Sequence, residues 1–198
     1  MTEAIKQAEA VANINLPNCL TALRILLIPV FVVLFSDPTP GRSLASALVF
    51  LGAAVTDLLD GYLARRCAQV TRLGRLLDPI ADKLLVLSGL ILLVQYERVP
   101  AIVAIVIIAR EVAVTGIRAV ALAQGFTMEA ETTGKYKMVA QVLAIVLLIL
   151  ENGLFPPWGY VHLLGTALLY VALALTLYSG IRYLVTFWQH SVSKGLGF

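Results

Sequence analysis

Six apolar stretches take up most of this chain, at roughly 20–35, 44–64, 79–95, 100–123, 137–151 and 160–187. Between them stand Ser36-Asp37-Pro38-Thr39-Pro40-Gly41, the basic segment 65–78, Glu97-Arg98 to Pro100, Gln124 to Lys135, and Asn152-Gly153 with Pro156-Pro157. Such proline, glycine and charge clusters punctuate helices. A bilayer crossing needs about 20 mostly apolar residues, so the pattern predicts an all-α integral membrane protein with six transmembrane helices. The balance of the 198 residues agrees: 60% are hydrophobic and 14% charged, with a mean hydropathy of +0.89, whereas a soluble domain carries about 25% charged residues. No polar stretch is long enough to close a core of its own. A soluble enzyme, a nucleic-acid-binding module and a disordered scaffold are excluded. The net charge of +3 and pI near 9.0 then reflect loop charge rather than a nucleic-acid partner.

Residues 1–18 form a polar segment with Glu3, Lys6 and Glu9, lacking the apolar run of a signal peptide. Residues 3–12 carry a weak surface-helix pattern. The expected layout is a cytoplasmic segment 1–18, a six-helix membrane domain 19–187 and a cytoplasmic tail 188–198. Lys and Arg counts set the orientation. A cytoplasmic N-terminus places Lys6, Arg65, Arg66, Arg72, Arg75, Lys83, Arg118, Lys135, Lys137, Arg182 and Lys194 on the cytoplasmic side, and only Arg42 and Arg98 opposite. Both termini are therefore expected in the cytoplasm. Cys19 and Cys67 read as ordinary packing or surface residues.

The informative residues are charges inside apolar stretches. Asp57 and Asp60 lie in the second, Asp78 and Asp82 at the start of the third, and Arg110 and Glu111 in the middle of the fourth. Ionisable groups at such depth cost about 2.5–3.5 kcal/mol each on insertion scales, so they face a polar cavity or a partner. Asp57 and Asp60 are three residues apart and Asp78 and Asp82 four apart, so each pair projects from one helix face. A short connection makes the two helices antiparallel neighbours able to bring four carboxylates together. Such a group repels itself unless protonated or bound to hard divalent cations, Mg²⁺ or Mn²⁺, which prefer oxygen ligands. Two such ions are the usual clamp for displacement at phosphorus.

The residues between the aspartates suit a phosphate ligand. Gly61 and Ala64 share the side of Asp57 and Asp60 and leave room for close approach. Arg65 offers a planar fork for a diphosphate, and Gly74 removes a side chain one turn before Asp78. Asp78-Pro79 taken alone has a second reading, a helix cap followed by proline at the first helical position. Taken together, Asp57-Leu-Leu-Asp60-Gly61-Tyr-Leu-Ala64-Arg65, eight residues, Gly74, three residues, Asp78, three residues and Asp82 resemble, without departure, the signature of the CDP-alcohol phosphatidyltransferase family.

That resemblance implies six transmembrane helices, a frequent homodimer, two metal ions, and displacement of CMP from a CDP-linked lipid by an alcohol. It implies that Asp57, Asp60 and Asp78 are metal ligands. Asp82 is then the base that deprotonates the attacking hydroxyl while also touching a metal. Gly61, Ala64, Arg65 and Gly74 become contacts to the CDP-diacylglycerol nucleotide, with Thr71 a weaker candidate. Asn15-Leu-Pro-Asn18-Cys-Leu-Thr21-Ala-Leu-Arg24 is similar to the family's entry segment, where Asn18 and Thr21 meet cytidine or a phosphate; helix capping is the other reading of Asn18.

Which alcohol attacks is read from cations. Arg110 and Arg118 are eight residues apart, about 80° around a helix, and Lys135 and Lys137 open the fifth stretch, with Gln141 one turn on. Two arginines and one or two lysines suit an acceptor that brings its own phosphate. The competing reading pairs Arg110 with Glu111 or an aspartate and leaves the rest to the positive-inside rule. Ile-Ala-Arg110-Glu111-Val-Ala-Val-Thr115-Gly116-Ile-Arg118 and Gly134-Lys135-Tyr-Lys137-Met138-Val-Ala-Gln141 resemble blocks of the bacterial phosphatidylglycerophosphate synthases, with Met138 where Thr is usual. The resemblance implies sn-glycerol 3-phosphate as acceptor. A cardiolipin synthase or phosphatidylinositol-phosphate synthase is the alternative within the fold. An aspartate-rich prenyltransferase would need more helices and other Asp spacing, and a cation transporter would not need Gly61, Arg65 and Gly74.

Overall fold

The computed structural model describes residues 16–67, 72–123, 132–151 and 158–193, without the side chains of 16–18, 57–67, 72–79, 82, 123, 132–135, 158–159 and 191–193. Those residues form six helices and no strand: α1 (Leu16–Phe35), α2 (Pro40–Cys67), α3 (Arg72–Gln95), α4 (Ala101–Ala123), α5 (Thr132–Leu150) and α6 (Trp158–Ser193). All six apolar stretches are helical, and the fold is the expected all-α one. Several helices outrun their apolar stretch, because a helix satisfies its own backbone whether or not its surroundings are lipid. α2 continues through Arg65 and Arg66, and α3 starts at Arg72. Asp78 and Pro79 are thus interior to α3, and the cap reading of that pair does not hold.

The chain divides into two compact units. The first comprises residues 1–92 and 149–158, the second 93–148 and 159–198. In the first, α1 and α2 pack as a hairpin. Its turn is built from capping chemistry. Thr39 precedes Pro40, the first residue of α2, and its Oγ1 accepts the Arg42 amide at 3.4 Å, a side-chain N-cap with proline at N1. Arg42 Nη1 pairs with Asp37 at 2.8 Å, and its Nη2 donates to the Val33 carbonyl at 2.9 Å, tying the turn to the end of α1. Ser43, Ser46, Ala47, Phe50, Ala53 and Ala54 form the buried stripe of α2. Most are small, as helix pairs in lipid require for close backbone approach. Phe31 stacks on Phe35 at 5.9 Å between ring centroids and meets Phe50 at 5.3 Å.

In the second unit, α3 ends in a Schellman turn. The Glu97 amide donates to the Val94 carbonyl, and the Arg98 amide to the Leu93 carbonyl, at 3.0 and 2.9 Å. Glu97 takes the left-handed position, φ 56°, where glycine is usual. The buried Arg98 side chain then reaches the Leu148 carbonyl of α5 at 2.7 Å. Gly165 of α6 lies against Leu147 and Leu148 so closely that a Cβ there would fall 2.9 Å from Leu148 Cγ.

The outward faces are apolar. Leu26, Val33, Ile102, Val112, Leu163, Ile181 and Trp188 each expose 60–66% of their surface. Among the described residues, Tyr160–His190 of α6 is long and apolar enough to cross a membrane by length and composition. At 1.5 Å per residue its 31 residues span roughly 46 Å, more than the ~30 Å of hydrocarbon. Shorter apolar segments lie in α1, α2, α3 and α5, at Cys19–Phe35, Pro40–Thr56, Lys83–Gln95 and Tyr136–Leu150. In α4 the apolar run is interrupted by Arg110, Glu111 and Arg118.

Candidate functional site

The candidate residues fall in both units. In the first, α2 runs unbroken through Asp57, Asp60, Gly61, Ala64 and Arg65, and α3 through Gly74, Asp78 and Asp82. The helical spacing that puts each aspartate pair on one face is therefore realised in the backbone. Their side chains, and Thr71 altogether, lie outside the described residues. Among the side chains that are described, no group of three His, Cys, Asp or Glu gathers to hold a metal. Asn18 is the third residue of α1, too far inside to be its cap. Thr21 is fully buried. One turn on, Arg24 is also fully buried, a position the sequence reading left without a role. Its Nε donates to the Ala53 carbonyl at 3.3 Å, the oxygen that also accepts the Thr56 hydroxyl at 2.7 Å. A guanidinium is thereby fixed on the α2 backbone one turn before Asp57.

The second unit holds the cations. Arg110 Nη1 pairs with Glu111 Oε1 at 3.1 Å. The same oxygen takes Lys137 Nζ from α5. Arg110 Nη2 donates to Ser179 Oγ of α6, whose own proton goes to the Thr176 carbonyl at 3.2 Å. Arg118 donates through Nη2 to the Tyr183 hydroxyl, with its guanidinium carbon 4.6 Å from the centroid of that ring, a cation–π arrangement. One carboxylate thus serves two partly buried cations, and α6 supplies an acceptor to each arginine. The side chain of Lys135 lies outside the described residues, and Met138 is half-buried on α5.

The Arg110–Glu111 pair is the one the competing reading of the sequence named, whereas two further participants, Ser179 and Tyr183, were not assigned from the sequence. A signal for the last two exists: Thr176, Ser179, Gly180 and Tyr183 form a polar or small stripe at helical spacing on an otherwise lipophilic helix. Gly180 belongs to it by geometry, since a Cβ there would stand 3.1 Å from both Cγ and Nε of Arg110.

Comparison with known proteins decides the family. Residues 14–178 match the CDP-alcohol phosphatidyltransferase family. The chain belongs to that family. Its curated relatives include the CDP-diacylglycerol–glycerol-3-phosphate 3-phosphatidyltransferase of Bacillus subtilis (strain 168), 41% identical over 88% of this chain and 96% of the relative. The protein of that name from Pseudomonas fluorescens is 43% identical over 91% and 94% of the two chains. The one from Escherichia coli (strain K12) is 39% identical over 86% and 93%. The matched range takes in residues of both units, the four aspartates and Arg110, Arg118 and Lys137 among them.

Proposed function

We propose that this CDP-alcohol phosphatidyltransferase transfers the phosphatidyl group of CDP-diacylglycerol to sn-glycerol 3-phosphate, giving phosphatidylglycerophosphate and CMP. The observation that carries the reading is the similarity, 39–43% identity over 86–91% of this chain, to bacterial enzymes of that name. The cation cluster of the second unit, with Arg110, Arg118 and Lys137, supports a phosphorylated acceptor.

In this reading Asn18, Thr21, Gly61, Ala64, Arg65, Thr71 and Gly74 bind the cytidine and diphosphate of the donor. Arg110, Arg118, Lys135 and Lys137 hold the acceptor's phosphate. Asp82 accepts the proton of its primary hydroxyl. The alkoxide oxygen bonds to the phosphorus bearing diacylglycerol, and the bond from that phosphorus to the bridging oxygen breaks, releasing CMP. Arg65 stabilises the charge that builds on the phosphoryl oxygens. No covalent enzyme intermediate is required. Asp57, Asp60, Asp78 and Asp82 form an all-carboxylate donor set, which fits two hard divalent cations, Mg²⁺ or Mn²⁺. When bound, these supply Lewis-acid stabilisation of the phosphoryl oxygens. The catalytic domain spans residues 19–187 of a homodimer in the bacterial cell membrane, with both termini and the active site on the cytoplasmic side.

The test is CMP release by purified protein from CDP-diacylglycerol and Mg²⁺, offering sn-glycerol 3-phosphate, inositol 1-phosphate, serine and phosphatidylglycerol one at a time. Turnover with sn-glycerol 3-phosphate alone, abolished by EDTA and restored by Mg²⁺, is expected. Turnover with inositol 1-phosphate instead would change the alcohol while keeping a phosphate for the cations to hold, and turnover with serine or phosphatidylglycerol instead would remove the role given to the cations.

A further inference from the structure

Gln141 is 97% buried on α5, with a relative exposure of 3%, and its Nε2 has no hydrogen-bond partner among the described residues. A buried donor left unmade is costly, and native folds rarely keep one without a reason. Its place suggests the reason. Gln141 is one turn after Lys137, on the same face of α5, and Lys137 is bound to Glu111. From Glu111 the connected groups run to Arg110, to Ser179 and, through its hydroxyl, to the Thr176 carbonyl. Two further atoms of this chain of contacts are buried without a partner among the described residues, Arg110 Nε and Thr176 Oγ1. Two of the three are N–H donors and the third is a hydroxyl that can donate. Unmade donors gathered along one network match a ligand rich in acceptor oxygens.

We infer that Gln141 is an acceptor-binding residue, its side-chain amide donating to an oxygen of the phosphorylated alcohol. The inference rests on the proposed acceptor reaction and deepens it, adding a neutral donor to a site so far described by its cations. A neutral amide adds directionality that ammonium groups lack, and it can tell a polyol phosphate from a bare phosphate of equal charge.

The test uses the full-length protein in detergent–lipid micelles and two apolar replacements, Gln141→Leu and Gln141→Met. A glutamine that served the fold would lower the melting temperature when removed. A donor kept unmade for a ligand would not, because the substitution removes an unsatisfied buried group. Expected are a melting temperature at or above that of the wild type, a KM for the acceptor raised about tenfold or more, as for loss of a hydrogen bond to a charged group, and a KM for CDP-diacylglycerol within twofold. The KM comparison is run on whichever acceptor the wild type turns over. A wild type that ignores sn-glycerol 3-phosphate therefore sinks the acceptor assignment, while Gln141 is still judged by its own ratio. Acceptor KM within twofold of wild type in both variants would overturn the inference. So would failure of both to fold, or a joint rise in both KM values with a fall in melting temperature.

Discussion

Two glycines in helix interiors are expected to respond oppositely to the same methyl group. Ala is favoured over Gly within a helix by about 0.8–1.0 kcal/mol. At Gly52 of α2 nothing lies within 4 Å of the position a Cβ would take, so Gly52→Ala should keep that gain. At Gly165 the new methyl would stand 2.9 Å from Leu148 Cγ, 3.0 Å from Leu148 Cδ2 and 3.3 Å from Leu147 Cβ. The Leu148 side chain is fully buried, so moving it disturbs close-packed neighbours. Overpacking of this kind costs about 1–3 kcal/mol, which outweighs the helix gain and leaves Gly165→Ala about 1 kcal/mol less stable than wild type. The two variants should then differ by about 2 kcal/mol, or roughly 4–8 °C in melting temperature for a chain of this length. Thermal unfolding of both, purified in one detergent, measures the gap. A Gly165→Ala protein melting at or above Gly52→Ala would refute the claim that α5 and α6 meet backbone to side chain at this point.

Asp82→Asn should keep its helices by circular dichroism and lose CMP release by about 10²–10⁴-fold, the range for a missing general base; undiminished release would remove Asp82 from that role. Glu97→Gly should stabilise by about 0.5–1 kcal/mol, since a left-handed backbone costs a non-glycine residue about 1–2 kcal/mol and glycine returns part of this in unfolded-state entropy. Its melting temperature falling would contradict the Schellman turn. Arg98→Leu should destabilise by about 1–3 kcal/mol through loss of a charge-assisted bond to the Leu148 carbonyl, seen as a lower melting temperature with the acceptor KM unchanged.

The helices were legible because lipid imposes a simple demand: each crossing must be apolar and long enough, and the breaks must be polar. Their ends were less so. Hydropathy reports where lipid lies, while hydrogen bonding decides where a helix stops, so α3 begins at Arg72, seven residues before the apolar run. The aspartate positions were legible for a different reason. Carboxylates three and four apart in an apolar run have no bland explanation, and the backbone of α2 and α3 keeps the helical register that the spacing assumed.

Apart from Glu111 beside Arg110, which the sequence already offered, the partners of the cations were not legible, because they are set by packing between helices distant in sequence. Lys137 meets a carboxylate 26 residues away, Arg110 a hydroxyl 69 away and Arg118 a phenol 65 away. Counting charge treats Arg110, Arg118 and Lys137 as three free cations, yet a membrane helix cannot hold such a group uncompensated. Glu111 is the compensation, and it is adjacent to one cation in sequence and to another only in space. Pairing in this way does not argue against phosphate binding. An anionic ligand binds best where cations are already oriented, and orientation comes from Glu111, Ser179 and Tyr183 rather than from the cations themselves. The positive-inside rule and an acceptor site are therefore compatible readings of the same residues. Neighbours alone do not separate them, since Arg42 and Arg98 are also held by theirs; the acceptor KM does, because removing a cation that binds the acceptor raises it and removing one that serves topology alone does not.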